Sequence, residues 1–175
     1  PRYEETQPFS EPSNRFAREP AQPLVDKYDL RGKHILEIGC GKGEFLVELC
    51  ELGGNTGIGI DPGTIPQRID SPAKDRIRFI NDFYGEAYLD LQADFVVCRH
   101  TLEHIQPVRE FLQLVRRSVG DRRDTVIFFE LPDVERVLDE QAFWDVYYEH
   151  CTYFSLGSLA RLFRECGFVI LDLSK

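Results

Sequence analysis

Glu37-Ile38-Gly39-Cys40-Gly41-Lys42-Gly43 is the stretch that decides the fold. It closes an apolar, strand-like run at residues 34–38. It leads into residues 43–52, where Phe45, Leu46 and Leu49 recur at helical spacing until Gly53-Gly54 stops them. Glycines at 39, 41 and 43 allow backbone angles that other residues resist, and let a ligand approach the main chain closely. The helix start offers unpaired N–H groups and a partial positive charge, suited to a carboxylate, a phosphate or a ribose edge. A dinucleotide fold needs Gly-x-Gly-x-x-Gly. Here Gly43 falls one place early, and Glu44 stands in the dinucleotide position. The phosphate-loop pattern Gly-x-x-x-x-Gly-Lys-Ser/Thr does not occur. A tight strand-to-helix turn without a ligand is the plain alternative.

Outward from that loop, short apolar runs alternate with longer amphipathic ones. Residues 56–60 read as a second strand ending in Asp61-Pro62, 77–80 as a third, and 95–98 as a fourth. Residues 125–131 read as a fifth that stops at Pro132, and 168–173 as a last strand. Residues 108–118 and 155–166 read as helices, the second capped by Ser155 and ended by Gly167. This alternation predicts an α/β domain with a mostly parallel sheet covered on both faces. Such sheets bind ligands beyond the carboxyl ends of their strands, where the strand order switches. Function is therefore expected in segments 39–43, 61–63, 81–84, 99–104 and 132–150.

The 175 residues suit one domain. Residues 1–22 read as a polar, proline-rich arm and 23–175 as the folded domain. The arm is either a flexible tail or a segment that folds over a site with Phe9, Phe16 and Arg18. A formal net charge of −9 argues against a general nucleic-acid binder, although a local basic pocket remains compatible with it. Five widely spaced cysteines without a Cys-x-x-Cys pair read as free thiols in a reducing, cytoplasmic compartment, with neither disulfides nor a zinc site. No apolar run reaches the roughly 18 residues of a membrane span, and no basic-then-apolar signal segment opens the chain. The lack of any methionine points to a fragment. Oligomeric state is not legible.

Two further acids follow strands. Asp61 stands 22 positions after Gly39, where a carboxylate can accept from both ribose hydroxyls; the plain alternative is a turn residue before Pro62. Asn81-Asp82-Phe83 follows the third strand. The Glu-x-Gly-x-Gly-x-Gly run with these acids in this order resembles class I S-adenosylmethionine-dependent methyltransferases, over roughly residues 30–170. The resemblance implies a Rossmann-like sheet of six or seven strands, with the last strand missing from this sequence. It implies S-adenosylmethionine as cofactor and S-adenosylhomocysteine as product. Glu37 and Gly39 would line the methionine part, within a loop that includes Cys40, Gly41 and Gly43. Asp61 would hold the ribose, Asp82 would accept from the adenine amino group, and Phe83 would flank the ring. A nicotinamide dehydrogenase shares such a fold but fails at the glycine spacing.

After the fourth strand comes Arg99-His100-Thr101-Leu102-Glu103-His104. His100-x-x-Glu103-His104 is formally an inverted zinc-protease motif. It sits immediately after a strand, where that motif needs an established helix, so no metal is expected. Many class I methyltransferases carry a Leu-Glu-His-Ile-like run here, which puts residues 99–101 near the transferable methyl and leaves Glu103 and His104 to cap or brace the following helix. Arg99 either holds an anionic acceptor or the cofactor carboxylate, or forms a structural ion pair.

Residues 143–155 crowd aromatic side chains into a connection that should be polar, and Glu149-His150 adds a titratable pair. An imidazole can take a proton near neutral pH, and aromatic faces favour a sulfonium. Tyr147, Glu149, His150, Tyr153, Phe154 and Ser155 resemble the Tyr-x-Glu-His-x-x-Tyr-Phe-Ser pattern of deoxysugar C-methyltransferases that act on nucleotide-linked keto-sugars. That likeness implies His150 as the base that removes a proton beside a ketone. It makes Tyr147 a partner of the enolate oxygen, and Glu149 an orienting or substrate-binding group. Those enzymes also carry an amino-terminal zinc domain and a further carboxyl-terminal domain, which this sequence does not contain. The expected acceptor is a small molecule or sugar conjugate. Two alternatives stay open: an aromatic plug with His150 satisfied inside it, and a non-catalytic S-adenosylmethionine-binding module of a larger enzyme.

Overall fold

Strand β1 (His34–Ile38) lies in the middle of the sheet because its side chains are apolar on both faces: Ile35, Leu36 and Ile38 are all buried. In a computed structural model that describes residues 21–65, 70–143 and 146–175, β1 pairs in parallel with β2 (Thr56–Ile60) on one side and β4 (Phe95–Arg99) on the other. β3 (Ile77–Ile80) extends the sheet beyond β2, and β5 (Val126–Glu130) beyond β4. The order is β3-β2-β1-β4-β5, all parallel, so the α/β expectation holds. The chain runs outward through β2 and β3, then returns across β1 to β4. That reversal opens a crevice at the carboxyl ends of β1 and β4. Ile38 stands in register with both Ile60 and Cys98, which brings the three following loops to one rim.

Alternate residues feed two cores. Ile35, Phe95 and Val97 pack with Leu24 and Val25 of α1 (Ala21–Lys27) and Phe45, Leu46 and Leu49 of α2 (Glu44–Gly53). Leu36, Ile38, Val96 and Cys98 pack with Leu112 and Val115 of α3 (Val108–Val119) and Phe163 of α5 (Leu156–Glu165). The sheet is thus covered on both faces. Buried Asn55 ties the first layer together. Its amide nitrogen donates to the carbonyls of Leu30 and Leu49 at 2.9 and 2.7 Å, and its oxygen accepts from Lys33 N at 2.8 Å.

α5 begins and ends as its sequence predicts. Ser155 and Ser158 form a reciprocal cap, and Gly167, at φ 85°, donates to the carbonyl of Arg164. Three expectations change. Among the described residues the sheet has five strands, and the one expected at residues 168–173 does not form. Phe168 packs on Phe163 instead, with ring centroids 5.6 Å apart, and among the described residues no strand pairs with the rest of the segment. Residues 21 and 22, read as part of the arm, start α1, where Pro23 fits the first turn because its missing N–H has no helical partner anyway. A short α4 (Val134–Asp139) interrupts the connection after β5 and is capped by Asp133. The arm residues Phe9, Phe16 and Arg18 lie outside the described residues, as does Trp144. No helix among the described residues is long and apolar enough to cross a membrane.

Candidate active site

The glycine loop turns as it does because positive φ recurs at Gly39, Gly41 and Gly43, and at Gly39 the neighbours also leave no room for a side chain. At Gly39, φ is 72°, and a Cβ there would fall 2.0 Å from Thr101 Oγ1 and 2.7 Å from Thr101 Cγ2. Thr101 is itself held, its hydroxyl donating to the carbonyl of Arg99 at 2.9 Å. Gly43, at φ 79°, starts α2 in the left-handed region. The loop and helix-start amides expected to face a ligand are mostly engaged within the protein. Gly39 N donates to Ile60 O, Gly43 N to Cys40 O, and Gly41 N to Asp61 Oδ2. The Leu46 amide, in the first turn of α2, bonds to the Glu37 carboxyl. The loop is therefore a shaped shelf for neutral groups more than an anion cradle.

Glu37 is 3% exposed, and its Oε2 has no hydrogen-bond partner. Burial pushes its carboxyl up to about 8, against the pull of the nearby Arg99 charge and the Leu46 amide. A buried acceptor in that state favours a cationic donor. Cys40 is also buried, with Sγ 3.5 Å from Thr64 Oγ1, and burial raises its thiol far above the usual range. Its main-chain N–H and C=O are bonded to Ile60 O and Gly43 N.

Asp61 braces two loops. Its Oδ2 accepts from Gly41 N at 3.0 Å and its Oδ1 from Gly63 N at 2.6 Å. A carboxylate has about four acceptor positions, so two such bonds leave capacity on both oxygens. Asn81 donates to the carbonyls of Pro62 and Thr64, which draws the β3 loop against the β2 loop. Asp82 accepts from Phe83 N at 2.8 Å and from the Tyr88 hydroxyl; that hydroxyl, with the Phe83 amide, holds its carboxyl below the usual range. The Phe83 ring is 76% exposed, a large apolar face left uncovered at the end of β3.

Arg99 takes the ion-pair reading. Its Nε and Nη2 reach the two oxygens of Glu130 at 2.8 and 3.3 Å, and its guanidinium lies 4.1 Å above the Phe45 ring. His100 joins them through Nε2, 3.1 Å from Glu130 Oε1. Burial pushes the Glu130 carboxyl up, but the hydrogen bonds and charges of His100 and Arg99 outweigh it and hold the group near 2. The sequence reading missed Glu130, although an acid ending the apolar run Val126–Glu130 was a visible signal.

Glu103 and His104 do not cap α3, whose N-cap is Pro107. They brace the segment 147–154 instead. Cys151 N and Thr152 N donate to Glu103 O at 2.7 and 3.3 Å, and His104 Nδ1 lies 3.3 Å from Glu149 O. The parallel bridge between Asp133 and Phe154 fixes the far end of that segment. His150 sits within an aromatic cluster. Its ring centroid is 4.8 Å from His104, 5.1 Å from Tyr147 and 5.4 Å from Tyr153. Tyr147 N donates to the Tyr153 hydroxyl at 3.0 Å. Glu149 and Tyr147 are exposed, Tyr148 fully so. Residues 99–104 thus touch the glycine loop through Thr101 and the segment 147–154 through Glu103.

A family model described as a methyltransferase domain matches residues 11–173. The C-methyltransferase NovU of Streptomyces niveus is 30% identical over 149 residues, covering 81% of this chain and 34% of that protein. The chain spans about a third of the length of the curated relatives it matches. The fold is shared with the 1,6-didemethyltoxoflavin-N1-methyltransferase of Burkholderia thailandensis, whose structure holds 1,6-didemethyltoxoflavin and S-adenosylhomocysteine. There the TM-score is 0.62 at 18% identity, covering 89% of this chain and 69% of that one. A SAM-dependent methyltransferase from Archaeoglobus fulgidus gives a TM-score of 0.58 at 23% identity, covering 87% and 69%. With a sheet of the order found here and a family match over nearly its whole length, this chain belongs to the class I methyltransferases.

Proposed function

We propose that this chain transfers a methyl group from S-adenosylmethionine to a small molecule or sugar conjugate, at a carbon next to a ketone, with His150 as the base. The observation that carries the reading is the turn at residues 99–104. It packs Thr101 against Gly39 and Glu103 against Cys151, so a cofactor cleft and a histidine cluster share one wall.

The cleft suits that cofactor. The partnerless Oε2 of Glu37 answers an ammonium, the spare lone pairs of Asp61 answer ribose hydroxyls, and the uncovered Phe83 ring answers a flat base. Gly39, Gly41 and Gly43 let the ligand lie close to the backbone, with Cys40 contributing main chain. Asp82 accepts from the adenine amino group. Arg99, bound to Glu130, holds Glu37 by its charge. When bound, the cofactor supplies a sulfonium-activated methyl and leaves as S-adenosylhomocysteine. His150 takes the proton from the acceptor carbon, Tyr147 steadies the enolate oxygen, and exposed Glu149 faces the substrate.

The test is His150→Ala. S-adenosylhomocysteine binding by calorimetry should stay at the wild-type level. Methylation of a nucleotide-linked keto-sugar should fall by about 10²- to 10⁴-fold, the range a positioned base contributes. Turnover at the wild-type rate refutes the role. A second reading, a cofactor-binding module without catalysis, is favoured by the ring packing of His150 against His104, Tyr147 and Tyr153, which equally suits a structural plug. Release of S-adenosylhomocysteine in the presence of acceptor separates the two.

A further inference from the structure

Glu103 has a bond to make that the folded chain leaves open. It is 2% exposed, its Oε2 has no hydrogen-bond partner, and its Oε1 is 3.8 Å from His100 Nδ1. An acceptor buried in this way destabilises the fold unless a donor meets it, and such groups are retained where they serve a site. A second partnerless buried atom, His150 Nδ1, lies in the same cluster. One carboxylate oxygen of Glu103 and one ring nitrogen from each of His104 and His150 lie within 4.8 Å of one another. The backbone reinforces the pairing. Glu103 O accepts from Cys151 N and Thr152 N, so the residue carrying the free carboxylate oxygen also anchors the chain beside His150. Glu149, the neighbour in sequence, is exposed and presents its carbonyl to His104.

We propose that Glu103 is a positioning residue for His150. Its carboxylate accepts the Nδ1–H of the imidazole and so fixes the tautomer whose Nε2 is free to take a proton from the acceptor. Hydrogen bonds of this kind are often long without ligands and tighten when substrate is in place. The groups facing His150 are His104 and Glu103 from the turn after β4, and Tyr147 and Tyr153 from its own segment. His100 and Glu130 stand behind Glu103. The tautomer matters because a base must present its lone pair outward, and the buried partner of the other nitrogen decides which one that is.

The inference rests on His150 being the base, and its test is independent of turnover. The full chain, labelled with ¹⁵N-histidine and saturated with S-adenosylhomocysteine, is examined by NMR, with the His150 signals assigned from the His150→Gln variant. Wild type should show a protonated Nδ1 and an unprotonated Nε2. Glu103→Gln should lose that preference and populate both tautomers, while S-adenosylhomocysteine affinity stays within about twofold. A dominant Nε2–H tautomer in wild type overturns the proposal, and needs no variant to fold. The same tautomer in wild type and Glu103→Gln overturns it too, as does stoichiometric metal bound to wild type and lost in Glu103→Gln. If the tautomer is indifferent to Glu103 and His150→Ala is inactive, this inference fails and the base reading stands. If His150→Ala is active and the tautomer does follow Glu103, the base reading fails and the positioning role falls with it, leaving a structural hydrogen bond.

Discussion

Binding of S-adenosylhomocysteine at pH 7 should expel a proton from Glu37. Burial holds that carboxyl near 8, against an ordinary value of 4.5, so in the free protein it is mostly protonated at pH 7. The difference corresponds to at most about 5 kcal/mol between its two protonation states. Its sign is set by the folded protein holding the proton more tightly than the unfolded chain. The group's stabilising contribution is complete below about pH 4.5 and is lost as pH rises through about 8. A ligand ammonium beside the partnerless Oε2 reverses the preference and ionises the group. Calorimetry in buffers of different ionisation enthalpy should therefore show net proton release at pH 7. Affinity should tighten by up to about tenfold per pH step between pH 6 and 8. Glu37→Gln should abolish both effects. No proton release in wild type, or equal release in Glu37→Gln, would refute the reasoning.

Gly39→Ala should cost about 2–4 kcal/mol in denaturant unfolding. The positive φ costs about 1–2 kcal/mol, and displacing Thr101 breaks its bond to the Arg99 carbonyl. Thr101→Ala in that background should recover part of the loss, because the Oγ1 and Cγ2 contacts disappear and the 2.8 Å Cβ contact remains. Asn55→Ala leaves the carbonyls of Leu30 and Leu49 and the Lys33 amide without their partner. It should cost about 3 kcal/mol, or roughly 6–12 °C in Tm, and a loss under 1 kcal/mol would contradict the account. Phe83→Ala should leave Tm within about 1–2 °C, since the ring is exposed, but weaken S-adenosylhomocysteine about tenfold by removing a stacking face.

The features legible in the sequence were those fixed by local backbone chemistry. Gly39 and Gly43 announce positive φ, Ser155 and Gly167 announce the ends of α5, and the apolar runs announce the five parallel strands, though not their order in the sheet. Features that depend on what a side chain meets across the fold were not legible. Residues 168–173 have a strand's composition, but among the described residues no strand pairs with them. Arg99 could have met a ligand or an acid, and the register of β4 on β5 places it opposite Glu130. Glu103 reads as a helix brace from its position before α3, whereas the fold turns it inward beneath residues 151 and 152. The glycine loop and helix start are expected to offer free amides, but the Asp61 carboxylate takes that of Gly41 and the Glu37 carboxyl that of Leu46.

A crystal structure of the chain with S-adenosylhomocysteine tests the central claim most directly. The account predicts ribose hydroxyls on Asp61, the ligand ammonium at Glu37, adenine against Phe83 and the sulfur turned toward His150. Ligand density away from residues 37–43, or none at saturating concentration, would contradict it.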